Sequence, residues 1–445
     1  MRYLKKQGRS YIKMSDLKKI VLDYGKDGLE VPLDQDWDVD IIKPIHQEPI
    51  EEPIKALQSA IRNPINSQSL EKVVQNKGEI NRVCIVVSDA TRPVPSHLIL
   101  DALVKELNEY GIKDEKINIL IANGLHRKTR NEEKERIMGK KLLRRLNVID
   151  HVATDNSLFL DLGKTSDNDP ILINKFYINS DLKIITGYVE PHFFFGFSGG
   201  RKSIVPGISG EETILTNHSA KNIHSQYARF GVYEENPMHK LAMEIVHEVG
   251  VDFMVNVCIN EAHKITKITA GDYIKAHENL VEYQKNKVFE KIDSPYDIVI
   301  CGNGGYPLDL NLYQAVKSMA IGEMAVKKGG TIISVNELSD GIGVGQDNFK
   351  DLIFSGMNPE EIYEKILNKE IRVPDVWEIM VLARVLMKAE VYVVSELEEK
   401  DLGNIGLRYA SNVRNAIQNS LEKDGKDAKI LILPNGPQIL PKLRG

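Results

Sequence analysis

Cysteine is scarce: Cys84, Cys258 and Cys301 are the three in 445 residues, odd in number and far apart. They build no disulfide framework and no CxxC zinc site, and a reducing compartment is the natural setting. Charge of one sign is also lacking. Lys and Arg number 58 against 63 Asp and Glu, a net −5 with histidine neutral. That balance excludes a generally basic nucleic-acid binder, though not a local basic pocket. No uninterrupted apolar run approaches the ~18 residues of a transmembrane helix. The basic start Met1-Arg2-Tyr3-Leu4-Lys5-Lys6 leads into no apolar stretch of signal-peptide length. Tandem repeats and low-complexity tracts are missing as well. Together these absences predict a cytoplasmic protein with neither nucleic-acid nor membrane partners.

What is present reads as a globular chain, 42% hydrophobic and 27% charged. At about 150 residues per domain, two large domains are expected. Short strands are predicted at Ile20–Leu22 and Leu29–Val31, then a helix around Ile54, Leu57 and Ile61 between Pro53 and Pro64. A unit then recurs in which an apolar strand ends in a polar or glycine-bearing turn. Residues 83–87 run into Ser88-Asp89-Ala90-Thr91-Arg92-Pro93, residues 117–121 into Asn123-Gly124-Leu125-His126-Arg127, and residues 182–185 into Gly187-Tyr188-Val189-Glu190-Pro191-His192. An apolar stripe marks a helix at 98–110 between the first two. The second half repeats the pattern: strands at 298–301, 331–335, 391–394 and 430–433, and a helix at 312–328. Continuous apolar strands alternating with amphipathic helices indicate α/β domains with parallel or mixed sheets flanked by helices. Ligands gather beyond the carboxyl ends of such strands, where all three polar motifs fall. The polar stretch 284–294 is the expected linker, giving domains 1–285 and 286–445.

Several motifs admit plain readings. The segment Gly196 to Ser203 frames a phosphate-binding loop, but Arg201 stands where its glycine should precede Lys202, and Pro206 follows too soon for a long helix. Gly302-Asn303-Gly304-Gly305 breaks the dinucleotide pattern at Pro307. Lone histidines are usually surface or satisfied core residues, the expectation for His46, His247, His263 and His277. His126, His192 and His218 sit instead in strand-terminal or glycine-rich turns. None forms a short metal-ligand pair, and a histidine pair equally suits acid–base work near neutral pH. Asp89 to Pro93 is either an ordinary helix-capping turn or a grip for a carboxylate or phosphate through Arg92.

Taken together, SDATRPVP at 88–95, NGLHRKT at 123–129, EPHFFFGFSGGRKSIVPGI at 190–208, TNHS at 216–219 and YQAVKS at 313–318 resemble the nickel-dependent lactate racemase family. The match runs in consistent order over most of the chain; residues 1–13 fit no part of it. The resemblance implies an isomerase, a racemase interconverting D- and L-lactate by reversible hydride transfer. It implies a nickel-pincer nucleotide, of the pyridinium-3,5-bisthiocarboxylic acid mononucleotide type, attached covalently through Lys202, with His218 as the metal ligand to nickel. Asp89, Ala90, Thr91 and Arg92 match cofactor-binding positions, and His126 and His192 match the two catalytic acid/base histidines. Arg92, Tyr313, Gln314, Lys317 and Trp377 match or neighbour substrate-binding positions. The expected active site lies in the cleft between the two domains, and the implied partners are a small 2-hydroxy acid and cofactor-maturation enzymes. The alternative is a racemase or epimerase of another 2-hydroxy acid, such as malate, phenyllactate or a sugar acid.

Overall fold

Residues that read as uninterrupted apolar runs form the central strands of two separate sheets. A computed structural model describes residues 11–13 and 19–444. The remaining residues before Met14, which match no family motif, lie outside the described residues. The chain divides into two compact units, one of residues 46–285 and one joining residues 1–45 to 286–445.

In the unit of residues 46–285, six strands lie in the order Ile265–Gly271, Phe253–Ile259, Leu182–Tyr188, Val83–Ser88, Ile117–Ala122 and Asn147–Asp150. All neighbours are parallel except the edge strand Ile265–Gly271. Val83 to Val87 are completely buried, as expected of a parallel strand with both faces covered. The helix Ser96–Glu109 places Ile99, Leu100, Leu103 and Leu107 on one core with Ile85, Val87 and Ile119. The helix Pro53–Arg62 starts on its proline and buries Leu57 and Ile61 in the same core, because Pro lacks only an N–H that the first helical turn leaves unbonded anyway.

The other unit carries a seven-stranded sheet in the order Tyr11–Lys13, Asp38–Ile42, Lys429–Leu433, Tyr296–Cys301, Val326–Val335, Glu390–Val394 and Leu407–Tyr409. It too is parallel apart from its first strand.

Two boundaries differ from the sequence expectation. A division at 285/286 leaves the N-terminal strands with the residues that follow them, whereas Asp38–Ile42 hydrogen-bonds in parallel to Lys429–Leu433. Ile41 and Val39 thereby enter one core with Ile430 and Ile432. The stretch 284–294 is no extended linker either. It holds the end of the helix Lys275–Val288 and the strand Phe289–Ile292, parallel to Leu440–Leu443. Val288 and Ile292, set among charged residues, are buried. The helix from Leu312 ends at Ala325, and the chain enters the strand Val326–Val335 directly, with Gly329 at φ 79° where the register slips between Val326 and Thr331.

Candidate active site

Three parallel strands of the 46–285 unit release their polar turns at the same sheet edge, since parallel neighbours share one direction. Beyond Ser88, Asp89 is 7% exposed and faces His126, which follows the strand Ile117–Ala122. The His126 Nδ1 donates to Asp89 Oδ2 at 2.7 Å, and Thr91 Oγ1 donates to the other carboxylate oxygen at 2.8 Å. Burial alone would raise the Asp89 carboxyl. The charge and hydrogen bond of His126, with Arg92 and Thr91, outweigh it and hold the group below the ordinary carboxylate range. Because Nδ1 is committed to the carboxylate, the ring presents Nε2, and the His126 side chain is 42% exposed. The turn is set by Asn123, which is buried and donates from Nδ2 to the Arg127 carbonyl at 2.8 Å, and by Gly124 at φ 54°.

His192 lies in a different medium. The two-residue strands Pro191–His192 and Gly196–Phe197 pair as a tight hairpin, with Phe193, Phe194 and Phe195 in the reversal. The imidazole is buried among these rings, stacked on Phe193 at 5.0 Å and edge-on to Phe194 at 4.6 Å. The Phe195 N–H donates to His192 Nδ1 at 3.3 Å, so Nδ1 is an acceptor and the proton of the neutral ring sits on Nε2. The two histidines therefore hold opposite tautomers in opposite environments, His126 carboxylate-backed with its lone pair on Nε2 and His192 among apolar rings with its proton there.

The same phenylalanines organise Lys202 and His218. Lys202 lies in the 3-10 turn Gly200–Ser203, with Nζ 4.2 Å from the Phe195 ring centre and 5.9 Å from that of Phe194. Pro206 ends this turn early, as its spacing predicts. His218 caps the helix Glu211–Asn217 and meets Phe194 edge-on at 5.3 Å. Its Nδ1 donates to the Ile214 carbonyl at 3.2 Å, which leaves the lone pair on Nε2. Burial, with the nearby Lys202 charge, pushes its pKa down to about 3. A neutral imidazole with one nitrogen hydrogen-bonded to a carbonyl is the form that ligates metal. Among the described residues no three His, Cys, Asp or Glu side chains converge to hold a metal ion.

The remaining expected residues form a group of their own in the other unit. Asn311 caps the helix Leu312–Ala325 by accepting from the Gln314 N–H at 3.0 Å. One turn on, Lys317 Nζ donates to Gln314 Oε1 at 2.5 Å. Trp377 Nε1 donates to the Tyr313 hydroxyl at 3.1 Å, which donates in turn to Asp375 at 3.1 Å. Asp375 holds this place with a left-handed backbone, φ 69°. Burial, then Glu378 and Asp375, keep the Tyr313 phenol protonated far above its ordinary range.

Sequence reading missed Asn256 and Ser198. Asn256 Oδ1 accepts from Gly200 N–H at 2.8 Å, and Ser198 Oγ donates to the Tyr188 carbonyl at 2.9 Å. The signal for Asn256 is its place as the single amide in the apolar strand FMVNVCI.

Family models for the lactate racemase N-terminal domain and the lactate racemase C-terminal domain match residues 24–231 and 291–440. The chain belongs to the lactate racemase family. By that membership it is an isomerase. Lactate racemase from Lactiplantibacillus plantarum is 36% identical over 87% of this chain and 91% of its own length. Lactate racemase from Thermoanaerobacterium thermosaccharolyticum is 35% identical over 86% of this chain and 89% of its own length. The solved apoprotein of lactate racemase from that organism superposes with TM-score 0.88 at 32% identity, covering 95% of this chain and all of its own. A Thermotoga maritima protein shares the fold at TM-score 0.66 and 20% identity, over 90% of this chain and 100% of its own. Among the described residues, no helix is long and apolar enough to cross a membrane.

Proposed function

We propose that the protein interconverts the enantiomers of a small 2-hydroxy acid, lactate first, with His126 and His192 as the acid/base pair for the substrate hydroxyl. The observation that carries this reading is the pair of imidazoles in complementary tautomers: His126, with Nδ1 on Asp89 at 2.7 Å, keeps a lone pair on Nε2, and His192, with Nδ1 accepting the Phe195 N–H at 3.3 Å, keeps its proton on Nε2. The C2 hydrogen of a 2-hydroxy acid is a poor acid, because the carbanion left behind would sit beside a carboxylate. Loss of a hydride from C2, coupled to loss of the hydroxyl proton, avoids that charge and yields a planar 2-oxo acid. Inversion then needs a proton acceptor on one side of the substrate and a proton donor on the other, the two exchanging roles in the reverse direction.

The chain's residues suit a nickel-pincer nucleotide carried on Lys202. Lys202 Nζ rests over Phe195 beside His218, whose buried, neutral ring keeps Nε2 as a lone-pair donor. Soft sulfur donors with one imidazole suit a square-planar nickel. When bound, the group supplies a hydride acceptor that no amino-acid side chain offers. Asp89, Ala90, Thr91 and Arg92 are assigned to hold it at the carboxyl end of the strand Val83–Ser88. Arg92 and Lys317 are assigned to the substrate carboxylate, Arg92 through its planar fork, with Gln314, Tyr313 and Trp377 completing the substrate-binding group. Maturation enzymes would install the cofactor, and the cytoplasm is the proposed compartment.

A panel of enantiopure lactate, malate, phenyllactate and a sugar acid, incubated with the matured enzyme and scored by chiral chromatography, tests this reading. Lactate is expected to racemise fastest. No turnover on any acid by a protein carrying its adduct would refute the activity, and faster turnover of another acid would reassign the substrate. Discrimination by one methylene is worth only about 10- to 200-fold in a hydrophobic pocket, so the ranking needs full kinetics.

A further inference from the structure

Behind the loop that carries Lys202 lies a buried polar cluster with no part in the proton transfers described so far. Arg201 is 1% exposed. Its Nη1 donates to the Gly199 and Ser198 carbonyls at 3.3 and 3.5 Å, and its Nη2 donates to the Phe195 carbonyl at 3.2 Å. The guanidinium lies between the rings of Phe195 and Tyr233, 4.9 and 5.2 Å from their centres. Burial lowers its pKa only to about 10, so it stays charged at neutral pH.

His277 completes the cluster from the helix Lys275–Val288. Its Nε2 lies 2.8 Å from the Ser198 carbonyl, and its Nδ1 lies 2.9 Å from the Tyr233 hydroxyl. A carbonyl only accepts, so Nε2 carries the proton, and Nδ1 accepts from Tyr233. Arg201 Nη1 at 3.3 Å from that same protonated Nε2 is then a contact and not a hydrogen bond. The ring also packs under the turn: a Cβ on Gly200, whose φ is +54°, would stand 2.8 Å from His277 Cδ2.

We propose that Arg201, His277 and Tyr233 are positioning residues that fix the 195–202 segment, and through it both His192 and Lys202. The route is short. The Phe195 carbonyl is held by Arg201, the Phe195 N–H is bonded to His192, and the Phe195 ring lies under Lys202 Nζ. The Phe195 and Ser198 carbonyls have turned inward and receive their donors from this cluster, and the Gly199 carbonyl, which accepts the Lys202 N–H at 3.1 Å, receives a second donor from it. Releasing any of them lets one residue shift the base and the attachment point together. The functional part of this inference rests on the proposed roles of His192 and Lys202.

The test uses the full chain in two forms. In cofactor-free protein, hydrogen–deuterium exchange is followed in peptides spanning 195–204. In protein matured with the cofactor enzymes, adduct mass, kcat and KM are measured. His277→Phe keeps the ring and removes both nitrogens; His277→Gln keeps one donor and one acceptor; Tyr233→Phe removes a single hydroxyl. With His277→Phe, exchange in 195–204 should rise and kcat should fall at least about tenfold at nearly constant KM, as expected when reacting groups are misplaced. His277→Gln should recover most of both, and Tyr233→Phe should show the same pattern more weakly. Parental exchange and kcat in His277→Phe would overturn the proposal, as would equal losses in the Gln and Phe variants. If His277→Phe does not fold, Tyr233→Phe decides, and parental values there overturn the proposal. Parental protein that matures without an adduct on Lys202 refutes the active-site reading instead, while exchange in the cofactor-free chain still decides whether the clamp holds the loop.

Discussion

All eleven histidines lie between His46 and His277, inside one unit, and the other unit has none. The two share a sheet architecture yet divide the chemistry. One supplies every side chain whose ordinary pKa lies near neutrality, together with Lys202. The other supplies Tyr313, Gln314, Lys317 and Trp377, a hydrogen-bonding group. On this account proton transfer belongs to the first unit and substrate capture chiefly to the second. The contrast can be broken by exchanging the roles experimentally.

The largest effect is expected in the histidine unit. His126→Ala and His192→Ala should each lower kcat by about 10²- to 10⁴-fold, the usual contribution of a general acid–base group, while intact mass still registers the adduct. An adduct lost along with activity would make these residues structural. Asp89→Asn should cost less, about tenfold or more, because an amide orients His126 but offers no charge to the imidazolium. Its pH–rate profile should move where that of the His192 variant does not.

Lys317→Met, in the histidine-free unit, should instead raise KM about tenfold, the worth of a charge-assisted hydrogen bond, with kcat nearly kept. A kcat-only loss would move Lys317 from binding to chemistry.

The smallest effect concerns stability. Burial pushes His151 down to about 4, and burial with neighbouring cations pushes His239 down to about 3, below the ordinary ~6.5 of histidine. Between those values the unfolded chain binds protons that the folded one refuses, so stability falls as pH drops from about 6.5 toward 4. The loss should be confined to the histidine unit. Both tryptophans, Trp37 and Trp377, lie in the other unit, so their fluorescence reports that unit alone. In urea at pH 5 the circular dichroism should decay before the tryptophan signal, and the two should draw together at pH 7. Coincident transitions at both pH values would contradict the division.

The central strands were legible because both of their faces are covered, which turns Val83 to Val87 and Ile298 to Cys301 into apolar runs. The half-exposed strands Asn147–Asp150 and Phe159–Lys164 carry no such signal. Nor does any local pattern announce that Asp38–Ile42 pairs with Lys429–Leu433, since the partners are nearly the whole chain apart. At the site, the turns bearing Asp89, His126 and His192 stood out by residue type at strand ends, while Lys202 and His218 were singled out by the family resemblance. His277 read as an ordinary core histidine, and its hydrogen bonds are indeed those of one. Its bearing on Lys202 comes from contacts 76 and 79 residues away in sequence, which spacing cannot display.

The central claim is that Lys202, two residues beyond the Gly199–Gly200 turn, is the amine that carries the cofactor. Peptide-level mass spectrometry of the chain co-expressed with cofactor-maturation enzymes measures this directly. The account predicts a covalent addition on the peptide containing Lys202, with nickel retained, and no addition in Lys202→Ala. An unmodified Lys202 in protein that racemises a 2-hydroxy acid would contradict it.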